Sequence, residues 1–434
     1  MSDARRVSTV RWLTLAMLAA AFVATRGALI GRPTFPPIPL IAGVSFPPWV
    51  GLAVAAVGFA VAASRPRIGC GIAAAGLALL FLQDQHWLQP WAWQALLLLL
   101  IEATFPRDAA RWQRRLAISV YVFSAFSKLD AAFADHLGRL LVTEGLAPAV
   151  GLDAAFWSDG LVRAMAWTLP AFELAAGVLL AWKPRWGLAA ATAMHAGLLL
   201  TLGPWGLNHH PGVLIWNAFF LVHVWVLFPA EYLHIASRGR QPPEDGEYRT
   251  GPVERAAVEV GRLNDAVSAG GPLRGLTPPA RLIGWSVLLL PVLEPFGLWD
   301  HWPSWSVYSN RPAVVRLEVG GLPTVRGVNW IARDNPLSDV QIVSLSGWSF
   351  ETWRTPCYPQ ERFQLAVAAA LLDRLPDRTP FVIRLRKYAA DRSGAATDET
   401  IEDRDELRRR LSQYWLNTNA GRWTLPEALP SGRG

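Results

Sequence analysis

Apolar residues fill the first ~300 positions in long blocks, broken by short stretches holding Arg, Pro, Asp or Gly. A bilayer core about 30 Å thick needs about 20 mostly apolar residues per helix. The blocks predict spans over 12–30, 47–64, 68–83, 89–105, 116–134, 164–182, 186–203, 212–229 and 281–298. Residues 231–280 are rich in Pro, Gly and charge and read as a cytoplasmic linker, with a helix over 252–267. Beyond 299 the periodicity changes. Residues 313–319, 325–332, 339–345 and 380–388 read as strands, and 360–375 and 399–416 as helices, the last with Leu407, Leu411 and Trp415 on one face. The expected fold class is therefore an α-helical polytopic membrane protein of about nine transmembrane helices, carrying a small C-terminal α+β extracytoplasmic domain. Its parts are an eight-helix membrane domain over 1–230, the linker, the ninth helix over 281–298 and the outer domain over 299–434.

Short-loop charge sets the expected orientation. With the N-terminus inside, inner segments hold Arg5, Arg6, Arg11, Arg65, Arg67, Arg107, Arg111, Arg114, Arg115, Lys183 and Arg185. Only Asp3 and Asp108 oppose them there, whereas outer loops hold Asp84, Asp130, Asp135, Glu144, Asp153 and Asp159 against Arg32, Arg139 and Arg163. The N-terminus is expected in the cytoplasm and the C-terminal domain outside.

Composition agrees with a bilayer partner. Of 434 residues, 52% are hydrophobic and 17% charged, against about 25% charged in ordinary soluble domains. The 22 Trp residues suit membrane–water interfaces, where an apolar ring and a wet N–H are both satisfied. A net charge of +7 does not point to nucleic acid, because the Arg residues are scattered rather than gathered on one face. Cys70 and Cys357 fall on opposite sides of the expected bilayer and cannot bridge. The outer domain shows no GxGxxG, P-loop, HExxH or CxxC.

Ionisable residues at membrane depth are costly and by default functional. Lys128 lies about 20 Å beyond Arg115 along its helix, while Glu173 and His195 each lie about 15 Å from the inner boundary. The three belong to consecutive spans and fall within about two turns of one another in depth. Lys128 and Glu173 are expected to pair, since an isolated charge there would neutralise. Asn217 and His223 add polar groups from the eighth span, His223 nearer the inner side. Two readings stand side by side: a structural ion pair that fixes helix register, or a catalytic or ligand-binding group. Ser124 and Ser127 are expected to bond back to their own helix. His209 and His210 are adjacent and point apart, which disfavours a metal site. Asp84 and His86 read as a solvated loop, and Glu102 and Glu294 as solvated residues near span ends. His195 and His223 are a candidate axial pair for a b-type haem.

The stretch Tyr121-Val122-Phe123-Ser124-Ala125-Phe126-Ser127-Lys128-Leu129-Asp130 resembles a motif of the HTTM family, the membrane domain related to vitamin K-dependent gamma-carboxylase. It follows the Arg-rich turn 107–115, and Leu169-Pro170-Ala171-Phe172-Glu173 and Met194-His195 look like the family's next two helices. Trp302-Pro303-Ser304-Trp305-Ser306-Val307-Tyr308 is similar to a stretch of HTTM-associated and DoxX-like bacterial membrane proteins. The resemblance covers roughly 95–230. It implies that Lys128 is the base that deprotonates a reduced, lipid-soluble quinone, with Glu173 and His195 beside it and Tyr121, Asn217 and His223 holding the cofactor. The cofactor itself is not readable from the residues; a quinone or quinol is what the resemblance implies. The competing classes are a DoxX- or MauE-like component supporting a partner's redox chemistry, and a non-enzymatic membrane scaffold. The protein partner is unknown in each.

Overall fold

The computed structural model describes residues 2–25, 35–228, 278–320, 330–331, 340–389 and 392–423. The expected linker, its helix over 252–267 included, lies outside them except for its last few residues. Long helices dominate: α1 (Asp3–Ala24), α2 (Pro48–Ser64), α3 (Pro66–Gln83), α4 (Pro90–Thr104), α5 (Ala109–Lys128), α6 (Phe133–Ala149), α7 (Asp159–Trp182), α8 (Pro184–Leu202), α9 (Pro211–Leu227) and α10 (Pro278–Leu289). Pro opens α2, α3, α4, α8 and α9, where its missing N–H removes a donor that no intrahelical acceptor could meet.

Three of these helices, α1, α3 and α7, are long and apolar enough to cross a membrane; a fourth span arises if α5 and α6, bent by 88°, count as one. The helices α2 and α9 are apolar but shorter. The outward faces carry Val57, Ile68, Phe172, Val178 and Val222, all exposed, a surface suited to lipid rather than water. Trp182, Trp186 and Trp225 stand exposed at one end of the bundle, and Trp49 and Trp205 at the other.

Packing is closest between α2 and α3. A Cβ on Gly58 would lie 2.3 Å from the Ala73 nitrogen, so the backbones touch and only hydrogen fits. Arg114 ties one end of the bundle together, donating to Asp3 Oδ1 at 2.9 Å and to the Leu227 carbonyl at 2.8 Å. The other end is covered by a C-terminal unit.

That unit is a five-stranded sheet of order β2-β3-β1-β4-β5, formed by Val314–Gly320 (β1), Trp330–Ile331 (β2), Val340–Val343 (β3), Phe381–Tyr388 (β4) and Ala396–Ile401 (β5). All pairings are antiparallel, and Leu317 at the centre faces Val343 on one side and Ile383 on the other. Helices α11 (Leu345–Trp353), α12 (Glu361–Leu372) and α13 (Arg404–Ser412) complete it, with Phe363, Leu365 and Leu371 in its core.

Several expectations are corrected. The expected fifth helix 116–134 stops at Lys128: the Asp130 amide turns back to the Lys128 carbonyl, and Asp130 Oδ1 accepts from the Phe133 amide, starting a new helix. The expected ninth span 281–298 is helical only to Leu289, because Pro291 and Pro295 tighten the rest into a 3₁₀ turn. The first helix begins at Asp3, so Arg5, Arg6 and Arg11 lie within it. Strand 339–345 gives way to α11, where Ser344 Oγ accepts from the Gly347 amide at 3.0 Å. The N-terminal part of the expected helix 399–416 is the edge strand β5, held by Arg386–Asp398 and Lys387–Glu399 pairs. Asp84 and His86 are buried rather than solvated. Glu102 is buried against Arg11, and Glu294 against His301 (2.7 Å) and Arg311 (2.9 Å).

The polar loop 84–89 is where bundle and C-terminal unit join. His86 Nε2 lies 3.0 Å from the Thr355 hydroxyl, Gln85 donates to the Asn417 carbonyl at 2.8 Å, and Arg362 donates to Gln85 Oε1 at 3.0 Å. Arg362 also grips Asp300 with both guanidinium arms. Burial pushes the Asp84 carboxyl up to about 7, although the amides of His86 and Ile38 donate to it, and pushes His86 down to about 3.

Candidate functional site

Two neighbouring helices bring the central charges together. Gly177 on α7 meets α5 so closely that a Cβ there would stand 2.9 Å from the Tyr121 Cβ. One turn before Gly177 on α7 is Glu173, and Lys128 ends α5. Lys128 Nζ donates to Glu173 Oε2 at 2.8 Å, to Ser124 Oγ at 2.6 Å and to the Ser124 carbonyl at 3.1 Å. An ammonium has three donors, and all three have acceptors. The side chain therefore folds back one turn along its own helix, away from the break at Leu129.

A second polar line runs from α5 through α8 to α9. Asn217 Nδ2 donates to the Val213 carbonyl at 2.9 Å, which turns Oδ1 toward His195. The network then assigns the imidazole tautomer: Nδ1 carries the hydrogen and donates to Asn217 Oδ1 at 3.0 Å. Nε2 is left to accept from the Tyr121 hydroxyl, 2.7 Å away. The Tyr121 proton is thereby committed, while its oxygen keeps lone pairs for a further donor.

Lys128, Glu173, Tyr121, His195 and Asn217 all line one cavity of about 340 Å³. Its other walls are mainly apolar, including Val120, Leu169, Phe172, Leu198 and Phe220. The cavity thus offers a cation at one level and a hydroxyl acceptor roughly one turn away, within an apolar enclosure.

His223 is not brought to this cavity. It is fully buried and stacked on Phe219 at 4.8 Å, and neither ring nitrogen has a hydrogen-bond partner among the described residues. Both nitrogens of His195 are hydrogen-bonded, so iron at Nε2 would have to displace the Tyr121 hydroxyl. Among the described residues no cluster of three His, Cys, Asp or Glu could hold a metal. His209 and His210 both lie against Phe350, each ring centroid 6.1 Å from its ring, with separate polar partners: His209 Nε2 meets the Tyr308 hydroxyl at 3.2 Å, and His210 Nδ1 accepts from the Gly212 amide at 3.1 Å. Burial pushes His209 below its ordinary range and Tyr308 above its own.

Ser124, Thr168, Trp216 and Tyr308 also line the cavity and were not singled out for it. Ser127 bonds back to the Ser124 carbonyl as expected, but Ser124 turns its hydroxyl to Lys128. The i−4 spacing of Ser124 and Lys128 was the available signal. Tyr308 arrives from beyond the last apolar block, and its only mark in the sequence is its place in the Trp302–Tyr308 stretch. Compared with protein-family models, with curated proteins and with solved structures, the chain finds no match in any of the three.

Proposed function

We propose that the chain is an integral membrane enzyme of the HTTM, carboxylase-like type, in which Lys128 takes a proton from the hydroxyl of a lipid-soluble, quinol-like ligand. The observation that carries this reading is the Lys128–Glu173 pair on the wall of an otherwise apolar cavity. Acting as base, Lys128 enters as the neutral amine. Two N–H groups serve Glu173 and the Ser124 carbonyl, and the lone pair takes the Ser124 hydroxyl proton as Ser124 Oγ takes the ligand's. The ammonium that forms has acceptors for its three hydrogens and lies beside the ligand oxyanion. A quinol supplies an acidic hydroxyl on an apolar ring; Tyr121, set by His195 and Asn217, accepts a second hydroxyl. Carboxylation of protein Glu is not part of the proposal.

The finer topology belongs to the same reading: about nine crossings, the N-terminus cytoplasmic and the C-terminal unit outside. It is supported by the Arg-rich segments and the C-terminal unit lying at opposite ends of the bundle. A scaffold role is favoured by one specific observation, the complete satisfaction of the Lys128 ammonium within the protein. Gentle purification followed by mass spectrometry of the lipid extract separates the readings. A quinone retained by the wild-type protein and lost in Lys128→Met is the expected result; phospholipid alone in both samples favours the scaffold.

A further inference from the structure

A second cavity, of about 680 Å³, opens where the C-terminal unit meets the bundle, and it shares no lining residue with the Lys128 cavity. Its two walls differ in character. Ala78, Phe81 and Leu82 of α3 and Trp93 and Leu96 of α4 form an apolar wall. Arg311, Gln360, Arg362, Lys387 and Tyr414 form the polar wall. Leu298 and Trp415 are exposed at 66% and 84% and line the same space, so an apolar chain can enter from the side.

The charges on the polar wall are already compensated. Arg362 holds Asp300, Arg311 lies 2.9 Å from Glu294, and Lys387 lies 3.0 Å from Glu361. Two neutral donors are not compensated. Trp299 and Gln360 line the cavity, and their Nε1 and Nε2 atoms are buried with no acceptor among the described residues. Buried donors normally find acceptors. The Trp299 ring lies 6.4 Å from that of Trp93 on the apolar wall.

We propose that this cavity binds a single-chain membrane amphiphile, its acyl tail along α3 and α4 and its carboxyl or ester oxygens accepting from Trp299 and Gln360. Neutral donors beside paired cations suit an acyl head better than a phosphate, which would compete with carboxylates for the same arginines. The site is independent of any chemistry at Lys128.

The test uses the full chain in detergent and a 16-carbon fatty acid bearing a diazirine in its tail. Irradiation and peptide mapping are expected to place adducts on residues 78–82 and 93–96, displaced by excess unlabelled palmitate and not by millimolar inorganic phosphate. Trp299→Phe with Gln360→Leu keeps an aromatic ring at 299 and a branched side chain at 360 and removes both donors. It is expected to raise the dissociation constant about thirtyfold, the scale of two net hydrogen bonds, at an unchanged melting temperature. Adducts spread equally over Val57 and Val178, displacement by phosphate, or unaltered affinity in the double variant each overturn the proposal.

Discussion

Lys128 and Glu173 form a nearly dry pair, with side-chain exposures of 10% and 14%. Removing one partner leaves the other uncompensated, at a cost of roughly 3–5 kcal/mol. Lys128→Met and Glu173→Gln are each expected to lower stability on that scale, measured by denaturant unfolding in detergent, and Lys128→Met/Glu173→Leu to recover most of the loss. Additive losses in the double variant would show that the two do not act as a pair. At Asp84 and His86 the expected effect is on pH dependence. The folded Asp84 keeps a proton from about pH 4 to 7 that the unfolded chain has released, so its contribution to stability falls as pH rises through that window. His86 stays neutral in the fold down to about 3 while the unfolded chain charges below about 6.5, so its contribution rises with pH over that range. Asp84→Asn keeps the acceptor for the Ile38 and His86 amides and removes one of these opposed slopes. Its melting temperature should climb more steeply than wild type between about pH 4.5 and 6.5, and exceed it by a few degrees near pH 8. An unchanged slope would mean that Asp84 titrates as an ordinary carboxyl. Lys128, Glu173 and His195 could be found in the sequence because a bilayer excludes such groups. Asp84 and His86 could not, because a loop of ordinary polar residues looks the same whether water or another part of the protein covers it.

Helix proximity at the site depends on Gly177. Gly177→Val puts two methyl groups into a gap where one Cβ already stands 2.9 Å from Tyr121. Overpacking of this kind costs about 1–3 kcal/mol. It should also part Glu173 from Lys128, so that cysteine cross-links between α5 and α7 near positions 124 and 173 form in wild type and fade in the variant. Persistent cross-linking with normal stability would show that the helices have room to spare. The helices that open on Pro begin close to the starts of the apolar blocks, whereas α1 and α5 begin well before theirs, at Asp3 and Ala109. The helix-to-helix break after Lys128 is made by the local bonds of Asp130, which periodicity does not register. Strand β5 was missed because it is an edge strand with five of its six residues exposed and no apolar alternation.

Seen as a whole, the molecule is a helical bundle with Arg-rich segments at one end and a sheet-bearing unit over the other. Arg362 holds Asp300, to which the Tyr358 hydroxyl also donates at 2.6 Å, and reaches Gln85 Oε1 of the bundle at 3.0 Å, which ties that unit down. If the bundle crosses a bilayer as proposed, single cysteines at Arg67 and at Asp398 should react from opposite sides of sealed vesicles. Labelling of both from one side would remove the topology. The presence of the C-terminal α+β unit followed from the change in periodicity after 299. Its seat on the bundle did not, since the residues that make the contact are separated by hundreds of positions: Gln85 with Asn417, His86 with Thr355, His209 with Tyr308.

The sequence by itself determined the helical, lipid-suited character of the chain, the C-terminal unit with its sheet, and the similar heights of the central charges along their helices. Each of these follows from the local cost of placing apolar or charged groups in water or hydrocarbon. Only the tertiary structure decided which polar groups meet. It put Ser124 on Lys128, drew Tyr121, His195 and Asn217 into one line, left His223 outside the cavity, and set Trp299 and Gln360 facing a second one. Those outcomes depend on how closely helix backbones approach and where the chain turns, at Gly177, Asp130 and Pro291, and no window along the chain contains both sides of such a contact.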